Sequence, residues 1–183
     1  DSDALQLSHY AFATPAIAVT YTNAHGRFNV ANNLCGFSFA NTSATGDVAP
    51  QVPAVQLGIF STGNGVPPTS GVNLVYNLAA NAVPAGSGKR DLFAASPSSG
   101  AFDLAFDGAL CQRQLVTGHD ADARRVQRGI AEVQLDASLR GKPTVIVHGR
   151  SDTLVPVNHS SRAYYGALKA NDRFQRENTS YIE

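Results

Sequence analysis

The sequence predicts an α/β fold with a parallel sheet, on three observations: a β-branched run at Thr144-Val145-Ile146-Val147, a strand opening at Ser180-Tyr181-Ile182, and a helical pattern between them. The first run carries no polar alternation, the pattern of a strand covered on both faces, as parallel strands are. Helix, buried strand, loop, helix, strand is the element order of a parallel-sheet protein.

The elements follow in order from a break in composition near residue 100. Residues 1–100 hold three Lys/Arg and four Asp/Glu, against eleven and ten in residues 101–183. From Val48 to Gly88 no side chain is charged, and the stretch is rich in Pro, Gly, Asn and Ser, residues that favour turns over long elements. Val55, Leu57, Ile59, Phe60, Val72, Leu74, Val75 and Tyr76 nevertheless need burial, so residues 1–110 read as an irregular, partly helical subdomain rather than a linker. Beyond it, Phe102, Ala105, Phe106, Ala109 and Leu110 recur at helical spacing and mark a buried stripe. Asp120 can cap a second helix with Val126, Ile130, Val133 and Ala137 on its face, ended by Gly141 and Pro143. A loop from His148 to Val155 follows the buried strand, then a helix from Pro156 to Asn171 with Tyr164, Ala167 and Leu168 on one side.

Several function classes fall away at this level. Formal net charge is zero, so no long-range field draws the chain to nucleic acid or an anionic surface. No run of about 18 apolar residues is present, so no membrane span is expected. There is no phosphate loop, no dinucleotide fingerprint and no basic-aromatic surface. The chain lacks Met and stops where a strand begins, so both ends are expected to be cut from something longer. Cys35 and Cys111 show no metal-binding spacing; they can pair if the protein is exported or stand as buried thiols if it is cytosolic. The compartment stays open, with the extracellular space or periplasm favoured over the cytoplasm.

Chemistry concentrates in His148-Gly149-Arg150-Ser151-Asp152-Thr153-Leu154-Val155-Pro156. Functional residues of open parallel sheets gather on loops at the carboxyl ends of strands. Gly149 allows a sharp exit from the strand, and Asp152 can then project a carboxylate over the sheet edge. There it can hold a histidine in one tautomer and stabilise the imidazolium formed in acyl transfer. The plainer reading has Asp152 capping the next helix or tying down the loop, and from the aspartate alone that reading is preferred.

The pattern His-Gly-x-x-Asp-x-x-Val-Pro after a Val/Ile strand resembles the acid-bearing loop of the α/β-hydrolases. The stretch from Gly141 to Asn158, together with Asn33-Leu34-Cys35-Gly36-Phe37-Ser38-Phe39-Ala40, resembles the D-3-hydroxybutyrate oligomer hydrolases, and the similarity runs along the chain. The resemblance implies the C-terminal part of an α/β-hydrolase fold: residues 1–110 as the inserted lid subdomain, residues 111–183 as an incomplete part of the catalytic domain. It implies an esterase that cleaves short hydroxybutyrate oligomers through a serine nucleophile, without metal or organic cofactor. Chain order in that fold is Ser, Asp, His. Only Asp152 carries over; the nucleophile would precede Asp1 and the histidine would follow the last strand. The 183 residues alone would then be inactive, requiring the rest of their own chain.

Other candidates are weaker. Gly36-Phe37-Ser38-Phe39-Ala40 nearly matches a nucleophile elbow, but polar Asn29 to Asn33 precede it and a loop composition follows. His159 reads as helix surface, and His148 as a partner of the loop backbone. His119-Asp120-x-Asp122 reads as capping rather than a metal site. No role attaches to His9 or His25. Arg150 and Arg162 can bind a substrate carboxylate, though an ordinary ion pair is the preferred reading. Tyr164-Tyr165 reads as helix packing. A feruloyl-type esterase, a peptidase or a non-catalytic module of the same fold remain alternatives.

Overall fold

The computed structural model describes residues 14–49, 72–152, 155–171 and 175–183. The chain divides into two compact units, one from Thr14 to Glu132 and one containing Val133–Glu183. The expected burial of Val55, Leu57, Ile59 and Phe60 lies outside the described residues, as does His9.

The first unit opens with helix α1, Thr14–Gly26. Pro15 stands in its first turn, where a missing N–H costs no hydrogen bond. Ala16, Val19, Thr22 and Asn23 are buried, at the spacing that lines one helix face. Strands β1 (Phe37–Asn41), β2 (Val72–Tyr76) and β3 (Lys89–Arg90) form an antiparallel sheet in that order. Phe37 faces Tyr76 and Phe39 faces Leu74 across β1 and β2. The Phe37 and Tyr76 ring centres lie 5.3 Å apart. These four side chains form the core with Ala16 and Val19 of α1 and Ala79, Ala82, Ala94 and Ala105. Leu74, Val75 and Tyr76 are buried as expected.

Helix α2, Phe106–Thr117, corrects the expected stripe. Phe102, Phe106 and Leu110 are exposed, while Gly108, Gln112 and Leu115 are buried. The helix cannot start earlier, because Leu104 and Ala105 adopt left-handed φ of 60° and 58°. Asp103 is held there by Ser96 and Ser99, whose hydroxyls donate to its carboxylate at 2.9 and 2.8 Å. The buried side is the one with least bulk: a Cβ on Gly108 would sit 2.6 Å from the Phe37 ring. Thr22 donates to Gln112 Oε1 at 2.6 Å between α1 and α2. A disulfide joins Cys35 to Cys111 on α2, across a separation of 76 residues.

Helix α3, Ala121–Val133, begins as expected, the Asp120 carboxylate accepting from the Ala123 N–H at 2.8 Å. It packs on α1 so closely that a Cβ on Gly129 would meet the His25 carbonyl oxygen at 1.9 Å. It ends at Val133, well before Gly141, and Val133 is exposed. Asp136 there accepts from the Ser138 N–H at 2.9 Å, a local turn that competes with helix, and Ala137 turns left-handed at φ 54°.

The second unit carries β4 (Thr144–Val147), a 3₁₀ turn (Val157–His159), α4 (Ser161–Asn171), α5 (Gln175–Asn178) and β5 (Thr179–Ile182). β4 and β5 pair in parallel, with Ile146 opposite Tyr181 and Val147 opposite Ile182. One face is covered by α4: Tyr165 stacks on Tyr181 at 5.0 Å and Leu168 is fully buried. On the other face Val145 is 63% exposed and Val147 72%, so cover on both faces is not present among the described residues.

Two outcomes follow for stability. By chain entropy a bridge spanning 76 residues is worth roughly 4 to 5 kcal/mol. A Cys35→Ser/Cys111→Ser variant is therefore expected to melt at least about 10 °C lower by circular dichroism, and an unchanged melting point would show that the bridge ties nothing down. Asp91, in a 3₁₀ turn after β3, is buried, and burial pushes its carboxyl up to about 6 despite the Leu92 N–H and Arg90. Since folding raises this pKa above its ordinary 3.8, its support for the fold is full below about pH 4 and is lost as pH rises through 6. Asp91→Asn should stabilise the protein at pH 8, by something on the order of 3 kcal/mol, with the gap closing towards pH 4. A gap that stays constant with pH would exclude titration of Asp91 as its source.

Candidate active site

The predicted loop leaves β4 at its carboxyl end, beside the end of β5. The parallel ladder runs one residue beyond the strand, the His148 N–H donating to the Ile182 carbonyl at 3.0 Å. The chain then turns, with the Asp152 N–H on the Gly149 carbonyl at 3.1 Å. Asp152 Oδ1 accepts from the Val155 N–H at 2.8 Å. His148 Nε2 lies 2.8 Å from the Val155 carbonyl oxygen. A carbonyl only accepts, so Nε2 carries the proton. The same nitrogen is 3.9 Å from Asp152 Oδ2. Thr153 and Leu154 fall outside the described residues.

Three expectations can be compared with this geometry. His148 does bind the loop backbone, and its Nε2 is occupied in doing so. Asp152 ties down the loop and does not cap α4, since Pro156 occupies the start of the intervening 3₁₀ turn. Gly149 corrects an expectation: its φ is not left-handed, and among the described residues a Cβ there would meet only Asp152 Cβ, at 4.0 Å. Hydrogen bonds, rather than glycine's freedom, make the exit sharp. The Asp152 side chain is 38% exposed at the sheet's carboxyl rim.

Glu183, directly after β5, was not singled out from the sequence. Arg162 of α4 donates through Nε and Nη2 to both of its carboxylate oxygens, the paired geometry that makes such contacts directional. Arg150 Nε lies 3.7 Å from Oε2. Hydrogen bonding from Arg162 is the main cause that holds the Glu183 carboxyl down at about 2, and the same contact raises Arg162. Arg162 also donates to Asn158 Oδ1 at 2.7 Å. The ion-pair reading of both arginines therefore holds.

The model of the 3HB-oligomer hydrolase family matches residues 1–183. The chain belongs to that family. A relative from Polaromonas sp., named D-(-)-3-hydroxybutyrate oligomer hydrolase, is 49% identical over all of this chain and 26% of its own length. Relatives of the same name from Azoarcus sp. and Paracidovorax citrulli are 45% and 50% identical over all of this chain and 25% of their own length. The chain thus spans about a quarter of the curated relatives it matches. No solved structure matches it.

The other candidates find plainer places. Ser38 lies inside β1, paired antiparallel with Val75, and its hydroxyl accepts from Asn77 Nδ2 at 2.8 Å. It stands at no strand-to-helix turn, so it lacks the geometry of an elbow. His159 is exposed in the 3₁₀ turn. His25 rests 5.7 Å from the Tyr21 ring on α1. Asp120 caps α3, and no cluster of three metal-ligating side chains occurs among the described residues. Tyr165 packs against Tyr181 as expected of helix packing.

Proposed function

We propose that this chain is the acid-bearing part of a serine-type carboxylic ester hydrolase that cleaves short 3-hydroxybutyrate oligomers. In this reading β4, α4 and β5 belong to an α/β-hydrolase sheet, residues 1–110 form a lid, and Asp152 is the acid of a Ser–Asp–His triad. The nucleophile and histidine come from the rest of the longer chain.

The observation that carries the reading is the setting of Asp152. Its carboxylate stands partly exposed at the end of a parallel strand, with Oδ1 fixed by a backbone N–H at 2.8 Å. A carboxylate so anchored has one orientation to offer an imidazole. It can hold that ring in the tautomer that takes a proton from serine, and it balances the positive charge that follows. The names of the relatives supply the substrate class, and the whole-chain family match supports carrying it over. Exposed Phe102, Phe106 and Leu110 give the first unit apolar surface suited to a neutral polyester. The chemistry asks for no metal or organic cofactor: serine attacks the ester carbonyl, the alcohol leaves with the proton from histidine, and water releases the acyl group.

Asp152→Asn in the full-length protein is expected to lower kcat on the hydroxybutyrate dimer by roughly 10³- to 10⁴-fold, with the circular dichroism spectrum unchanged. Near-normal turnover would remove Asp152 from the mechanism.

A further inference from the structure

Around the acid loop, polar arms from both sides converge on one carboxylate. Arg150 lies two positions before Asp152, and its Nε reaches to 3.7 Å from Glu183. After the loop, Asn158 holds Arg162, whose guanidinium binds both Glu183 oxygens. Beside them the Tyr181 hydroxyl meets Ser161 Oγ at 2.9 Å, fixing the start of α4 to β5. The Glu183 side chain is only 9% exposed, although Arg150 is 74% exposed. A single exposed ion pair is a weak tie. A sheltered carboxylate shared by two cations, one of them bound through a paired fork, is a stiffer one. Its ionised state is secure, since its carboxyl is held at about 2.

We propose that Glu183 is a positioning residue for the acid loop: through Arg150 and Arg162 it fixes the Asp152 carboxylate relative to the segment leaving β5. The proposal rests on the reading of Asp152 as the triad acid. In that reading the histidine follows β5, so Glu183 stands at the root of the histidine segment while gripping the acid loop. Acid and imidazole must meet within a few tenths of an ångström, and an error of about 1 Å costs on the order of 100-fold in rate. Arg150 stands in the same loop as Asp152, two positions before it, so holding its guanidinium on Glu183 holds that loop.

The test uses the full-length protein and the hydroxybutyrate dimer, with the variants Glu183→Gln, Arg150→Ala, Asp152→Asn and the Asp152→Asn/Glu183→Gln pair. Glu183→Gln should lower kcat roughly 10- to 100-fold, with KM changed less than about twofold. In the Asp152→Asn background the same substitution should cost nothing more, because the group it positions is already disabled. An unchanged kcat, or an equal loss in both backgrounds, overturns the proposal. If Glu183→Gln fails to fold, Arg150→Ala decides: its exposed side chain can go without unfolding, and kcat should fall several-fold, whereas wild-type turnover overturns the proposal. Wild-type turnover of Asp152→Asn sinks the triad reading and this inference together; a crippled Asp152→Asn beside a normal Glu183→Gln sinks this inference alone.

Discussion

The candidate site depends on the parallel pairing of β4 with β5. With Val147 opposite Ile182, both strands end at one rim, and the His148 N–H continues the ladder onto the Ile182 carbonyl. Parallel strands need a crossover between them, and α4 supplies it while burying Leu168 and stacking Tyr165 on Tyr181. That packing fixes the direction of both strands, and with it the neighbourhood of everything emerging from their ends. Had β5 run the other way, Glu183 would lie at the far end from Asp152. The grouping of side chains at the rim is thus a consequence of strand direction before it is a property of any one of them.

How legible this was differs by element. The two strands β4 and β5 and the loop that leaves β4 were readable as structure because their signals are local: a β-branched run before the loop and a Val-Pro close after it. Asp120 was readable for the same reason, since a cap and its helix are adjacent. Helix α2 was misread because large apolar residues usually mark the buried face, whereas here Gly108 lets the helix press on Phe37 and Tyr76. The end of α3 was misread because Asp136 spends its carboxylate on a turn that a periodicity argument does not see. β1 escaped notice because Phe-Ser-Phe-Ala-Asn is short and flanked by polar residues, and only its pairing with β2 makes it a strand.

Glu183 illustrates the harder limit. It lies 21 positions from Arg162, and nothing about an acid after a strand announces a partner at that distance. The arginines at 150 and 162 were legible as charges looking for a counterion, but the counterion becomes identifiable only once strand direction is known. The two cysteines posed the same difficulty: their spacing left pairing undecided, and the packing of α2 against the residues leading into β1 brings them together.

The bare face of β4 and β5 has a practical side. Val145, Val147 and Ile182 lie exposed on one side of a two-stranded ribbon, whose outer margins are unpaired among the described residues. Such a ribbon is adhesive in water, recruiting other strands along its margins and other oily surfaces across its flat. A preparation of this segment by itself will tend to clump unless a solubilising partner is fused to it, and polar replacements at Val145 and Val147 are the natural means of keeping it dispersed.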